Sequence, residues 1–257
     1  MEPTTTRELT ALPATPAPER GIAPVWHTVL FIAIFAGLSY GGTRRTATGG
    51  GHAHWPIYLE TVVMQWLLVG YIAWGLRMRG RKMRDLIGGR WDSAQAFFLD
   101  VAIAIGFFLA NLILRAIVLG TLLALNHGLR NTATQGLQNV AKTIGPQSVW
   151  ELLLFMAVAV TAGICEEIMF RGYLQQQIGS WTRSTTLGVG LSAVLFCAGH
   201  AYQGWFFALQ VGILGLMLGI LAAWRKSLRP GILAHGMQDV ISGTLSFFLK
   251  SLLPHMK

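Results

Sequence analysis

Thr161-Ala-Gly-Ile-Cys-Glu-Glu-Ile-Met-Phe-Arg-Gly-Tyr-Leu174 is the stretch that decides how this chain is read. An unbroken apolar segment, Leu152 to Ile164, leads into it. Glu166 and Glu167 then stand where a hydrophobic helix should carry no charge. Adjacent positions on an α-helix point about 100° apart, so the two carboxylates are expected on different faces. Arg171 follows Glu167 at the i, i+4 spacing, the best arrangement for a Glu N-terminal to a cation. Glu167 and Arg171 are therefore expected to pair, leaving Glu166 aimed elsewhere without a local counter-charge. A carboxylate this far into an apolar segment costs roughly 2.5–3.5 kcal/mol on insertion scales, so it marks a functional site. The plainer reading is a helix end at the headgroups, with all three charges solvated.

Composition sets the class. The 257 residues are 53% hydrophobic and only 12% charged, unlike a soluble domain. Several apolar runs reach the roughly 20 residues that cross a bilayer. The fold expected is all-α, a polytopic transmembrane helix bundle. A net charge of +9 would point to nucleic acid in a soluble protein. Here the basic residues cluster beside apolar spans, which reads as topology and contact with a lipid bilayer, and no nucleic acid is expected as a partner. Cys165 and Cys197 both lie inside apolar spans, so no disulfide framework is expected and both read as small buried side chains.

Residues 1–23 are polar, carry Pro3, Pro13, Pro16 and Pro18, and lack a basic stretch leading into an apolar one. They read as a disordered tail and not as a typical cleaved signal peptide. Residues 24–257 read as one transmembrane domain. Span one runs from about Val25 to Tyr40, where Gly41-Gly42 and the Gly-rich loop at Gly49–Gly51 interrupt it. Span two covers Pro56 to Leu76, followed by the basic run Arg77–Arg84. Span three falls within Ala94–Leu125, too long for one straight crossing; its first turns, with Asp100, are placed in the interface, and Arg115 is the odd charge further in. Asn126 to Gln147 reads as a polar loop. Span four is Val149 to about Leu174, span five Thr186 to Ala201, span six Trp205 to Trp224, and span seven starts after Pro230. The count is seven, or eight if Ala94–Leu125 hides a re-entrant or broken pair. Gly212, Gly215 and Gly219 on span six suit close helix packing.

The basic loops orient these spans. Arg77–Arg84 and Arg225–Arg229 fall on one side with the N-terminus, and the loops near Arg44, Arg130 and Lys142 on the other. This puts the N-terminus in the cytoplasm and the C-terminus outside, in the plasma (inner) membrane.

Two further polar sets stand inside spans. Phe196-Cys-Ala-Gly-His200 places an imidazole on the same face as a phenyl ring, and His235-Gly-Met-Gln-Asp239 places an imidazole and a carboxylate one turn apart. Each alone reads equally as a structural contact. Together, Glu166, His200, His235 and Asp239 come from three spans that a bundle can bring to one place. They supply a base, two imidazoles and a second carboxylate, the inventory for activating water or for binding zinc through N and O ligands.

Glu166-Glu167-xxx-Arg171, Phe196-xxx-His200 and His235-xxx-Asp239, in that order on successive spans, resemble the three motifs of the CPBP (CAAX-protease and bacteriocin-processing, or Abi) family, which includes type II CAAX prenyl endopeptidases. The resemblance covers about Val149 to Ser246, a catalytic core, and nothing specific in the first three spans. It implies an intramembrane endopeptidase acting on a membrane-anchored protein or peptide. Glu166 with His200 would activate the water, His235 would stabilise the oxyanion, and Asp239 would orient His235 or act as a protonated donor. Glu167 and Arg171 would hold the helix. Where family members end the third motif in Asn, that residue is an oxyanion donor; an ionised Asp only accepts. The family includes metal-dependent and metal-free accounts, so no cofactor is assigned, and zinc, if used, would take Glu166, His200, His235 and Asp239.

The rival readings are a non-catalytic scaffold, a bacteriocin self-immunity protein, and a transporter. A transporter should show paired half-helices or motifs repeated across two halves, and no internal repeat stands out. One geometric tension accompanies the enzyme reading. Counted from Arg229, His235 is ~9 Å deep, whereas His200 counted from Thr186 is ~21 Å deep. Either span five begins earlier than placed or its helix enters at an angle.

Overall fold

The structure, a computed structural model, describes residues 21–47 and 54–252. Among them every regular element is a helix: α1 (Val25–Ala47), α2 (Trp55–Arg77), α3 (Met83–Ile87), α4 (Ala94–Leu125), α5 (Leu129–Thr143), α6 (Val149–Glu166), a π-helical segment (Glu167–Leu174), α7 (Gln175–Thr182), α8 (Thr185–Gly199), a 3-10 turn (Ala201–Gln203), α9 (Trp205–Arg225) and α10 (Arg229–Leu252). Four of these stretches are long and apolar enough to cross a membrane: α2, α4, the continuous run Val149–Thr182, and α9. Shorter apolar stretches lie in α1 and α8. The expected seven or eight crossings are thus matched by length and composition in four.

The axis of the molecule is the α6–π–α7 rod, against which α10 lies antiparallel. Gly163 makes the approach possible: a Cβ there would sit 2.7 Å from the backbone nitrogen of Gly236. In lipid the apolar surface gains little from burial, so helices adhere through such small-residue contacts and through hydrogen bonds worth on average about 0.6 kcal/mol. α9 follows the same rule. Gly215 and Gly219 leave room for Phe196 and Val189 of α8, and their carbonyls accept from Arg171 and Gln175 at 3.1 and 3.0 Å. The glycine series on span six is a packing seam, as expected.

The two ends are stapled by polar contacts. At the basic end, Leu228 N and Ser227 Oγ both donate to Ile87 O. Asp100, fully buried, pairs with Arg225 at 3.2 Å and Arg229 at 3.1 Å and accepts from Trp91 Nε1 at 2.9 Å. Three donors compensate a carboxylate that would otherwise be costly to bury. The Arg77–Arg84 run and the Arg225–Arg229 turn therefore lie at one end, and α1 begins there too, with His27 against Gly75 near the end of α2. At the opposite end, Glu151 accepts from His54 N and Gln147 N at 2.8 and 2.9 Å.

Several boundaries differ from the sequence reading. α1 continues through Gly41-Gly42 to Ala47, because two glycines weaken a helix without ending it. Ala94–Leu125 is one unbroken helix of 32 residues and hides no broken pair. At about 48 Å it exceeds the roughly 30 Å hydrocarbon core, so its first turns extend past it. The stretch read as a polar loop holds α5, whose Gly136 packs on Phe207 of α9. Of the expected tail, residues 1–20 lie outside the described residues, as does the Gly-rich loop at 49–51. Ile22 and Ala23 are buried, and their backbone N–H groups donate to Gln177 Oε1 at 2.7 and 3.1 Å.

Candidate active site

The decisive stretch leaves the α-helical path at Glu167 and runs as a π-helix to Leu174. Such wider turns, closed by i→i+5 bonds, recur at functional sites. Every residue of the segment is buried, and it lies within the apolar cluster that includes Phe31, Ile72, Leu76, Phe170, Tyr173, Phe196 and Leu228. The Glu167–Arg171 pair expected from spacing is present at 2.7 Å, with Glu167 at 0% and Arg171 at 2% exposure. The guanidinium also lies over the Phe196 ring, 4.3 Å from its centroid, so Phe196 is a supporting wall of this pair.

His235 sits astride the seam between the two glutamates. Its Nδ1 is 3.0 Å from Glu167 Oε1, and its Nε2 is 3.8 Å from Glu166 Oε2 and 3.6 Å from Asp239 Oδ2. Glu167 therefore does more than pair with Arg171: one oxygen takes both the arginine and the histidine. A carboxylate accepts only, so Nδ1 bears a proton towards Glu167, and Nε2 is the edge turned to Glu166 and Asp239. Exposure separates the carboxylates by task. Glu167 has none, whereas the Glu166 and Asp239 side chains keep 15% and 33%. The latter two are open to the surroundings of the packed helices.

Glu166 has a neutral partner from a distant helix. Gln65 Nε2, from α2, donates to Glu166 Oε1 at 3.0 Å and leaves Oε2 facing His235. Gln65 is a site residue the sequence reading passed over. Its signal was a single amide in the middle of an apolar span.

His200 is at the edge of this group. It caps α8, its Nδ1 donates to Phe196 O at 2.9 Å, and its ring lies 4.7 Å from Phe196 and 6.1 Å from Tyr202. Among the described residues no hydrogen bond or ion pair joins it to Glu166, His235 or Asp239. The depth tension resolves without moving span five. Gly172 packs on Leu228 at the head of α10, whereas Gly179, seven residues on, abuts Gly188 in the first turns of α8. α7 therefore carries the chain about 10 Å further out before α8 turns back, which offsets most of the difference in depth.

Among the described residues, no three His, Cys, Asp or Glu side chains are grouped so as to hold a metal ion. Glu166, His200, His235 and Asp239 do not close on one point. Cys165 is a buried free thiol, and Cys197 donates to Ala208 O.

Two glutamates, two histidines and an aspartate thus stand within or at the ends of the apolar helices of this bundle. Residues 148–241 match the family described as type II CAAX prenyl endopeptidase Rce1-like. All three motifs lie inside this match, which supports a likeness to the CPBP/CAAX protease family over that part of the chain. No curated protein and no solved structure matches the chain.

Proposed function

We propose that this protein is an intramembrane endopeptidase that hydrolyses a peptide bond of a membrane-anchored protein or peptide, with Glu166 as general base. The observation that carries the proposal is Glu166 itself. It is a partly exposed carboxylate oriented by Gln65, 3.8 Å from the free edge of His235. Glu166 takes a proton from water as the water oxygen bonds to the carbonyl carbon. His235, protonated on both nitrogens, keeps Nδ1–H on Glu167 and offers Nε2–H to the oxyanion. The C–N bond then breaks, and the proton held by Glu166 passes to the leaving amine. One well-placed donor to an oxyanion is worth roughly 3–4 kcal/mol. His200 assists from the edge of the site, and Asp239 faces the same nitrogen as Glu166.

Seven crossings, by α1, α2, α4, the α6–π–α7 rod, α8, α9 and α10, accompany this reading. The basic end and the N-terminus lie in the cytoplasm, in the plasma (inner) membrane. The test is cleavage of a membrane-anchored peptide by purified protein in lipid. Glu166→Gln should retain wild-type folding and insertion and lose at least a hundredfold in kcat, in line with the ~10²–10⁴ contributed by a general base. Wild-type turnover in that variant would remove Glu166 as the base, and absence of cleavage by the wild-type protein would instead favour a scaffold or immunity protein.

A further inference from the structure

Arg115 is a charge the proposed reaction does not use. It stands deep in α4, outside the family match, where a cation normally faces a protein partner or a polar path and marks a site. Its Nε donates to Gln210 Oε1 on α9 at 3.1 Å. Among the described residues this is its sole hydrogen bond, and no carboxylate is within ion-pair distance, so both terminal nitrogens have no partner. The same bond fixes the orientation of the Gln210 amide. Its oxygen serves the arginine, which makes Nε2 the unused end. Gln210 is 4% exposed, and that Nε2 is buried with no acceptor.

A buried amide donor without an acceptor is disfavoured unless something accepts from it when the site is in use. Beside it stands a planar guanidinium edge, the group that best takes a carboxylate through two parallel hydrogen bonds. The pair adjoins the reaction site, since Asn111, one turn before Arg115 on α4, donates to Gln238, the neighbour of Asp239 on α10, at 2.5 Å, and Asp239 is 3.6 Å from His235. We infer that Arg115 and Gln210 form a docking site for a carboxylate, the free C-terminus of the peptide being cut. This rests on the protease reading and adds to it a subsite supplied by α4 and α9.

The test uses a fluorescent, S-farnesylated peptide made as the free acid and as the C-terminal amide. Its binding to Glu166→Gln is measured by anisotropy in nanodiscs of zwitterionic lipid, so that no lipid carboxylate competes. The acid should bind at least tenfold more tightly than the amide. Arg115→Gln, added to Glu166→Gln, should remove that preference, and Arg115→Lys should restore part of it. Should Arg115→Gln fail to fold, Gln210→Met keeps the volume, loses the amide donor and should reduce the preference several-fold. Equal binding of acid and amide, or a preference that survives these changes, overturns the inference. Wild-type cleavage is measured separately. An acid preference without cleavage would remove the protease reading and leave the carboxylate site standing, whereas cleavage without a preference would do the reverse.

Discussion

Glu167 and Arg171 show what a sequence discloses at the scale of single residues. Their pairing is local, and i, i+4 spacing sufficed to predict it. The contact between Glu167 and His235 was hidden, because it joins residues 68 positions apart and depends on how α10 packs. Gln65 was hidden for the same reason: one amide in an apolar span looks alike whether it faces a site or a neighbouring backbone. The contacts separate the neighbouring glutamates experimentally. Glu167→Gln strands a buried arginine, at a cost of about 3–5 kcal/mol, and loosens His235. It should lower thermal stability markedly and reduce kcat in whatever protein survives, whereas Glu166→Gln should unfold at the wild-type temperature. Thermal unfolding of the two purified variants checks this, and the opposite pattern would swap the roles. Asp239 is tested by pH. A carboxyl donates to an oxyanion only while protonated, so any such help from Asp239 fades as pH rises, while an amide in its place would persist. Asp239→Asn should therefore keep or exceed wild-type kcat at high pH, and chelators should leave both proteins unchanged. Bound zinc lost together with activity in Asp239→Asn would contradict the metal-free reaction.

At the scale of elements, the long apolar helices were legible and their ends were not. α2 and α9 fall within a residue or two of the spans read from hydrophobicity. α5 was missed because it is polar overall, although Leu129, Ala133, Leu137 and Val140 recur in it at helical spacing. The π segment leaves no mark in the sequence, since it keeps the i, i+4 pair while changing how the chain winds. Packing gives a test at this scale. At Gly163 the neighbour is backbone and cannot yield, so Gly163→Val should force α10 away from α6. Overpacking of this kind costs typically about 1–3 kcal/mol. The expected outcome is a lower unfolding temperature together with lost activity, as His235 is drawn from Glu166. Gly70, which has open space around it, should accept alanine with neither effect.

For the whole molecule, the charge pattern was the most informative feature, because it marks ends and needs no helix boundary. It put the Arg77–Arg84 run and the Arg225–Arg229 turn together, and Ile87 and Asp100 do join those regions. It does not say which face of a membrane they occupy; the cytoplasmic placement proposed above rests on the usual excess of Lys and Arg on cytoplasmic loops. A reporter fused after Arg84 should read inside, and one at Gly51 outside. The reverse result would invert the orientation while leaving the site intact. The family match covers three motifs that stand on α6, the π segment, α8 and α10, and the first four helices supply parts it does not mention: Gln65 beside Glu166, and Arg115 beside Gln210. The account's central claim is that Glu166 makes this bundle a protease. Its most direct test is a comparison of native membranes carrying the wild-type protein with membranes carrying Glu166→Gln at equal abundance. A membrane-anchored protein should accumulate in uncut form only with Glu166→Gln. Indistinguishable membrane proteins in the two strains would contradict the claim.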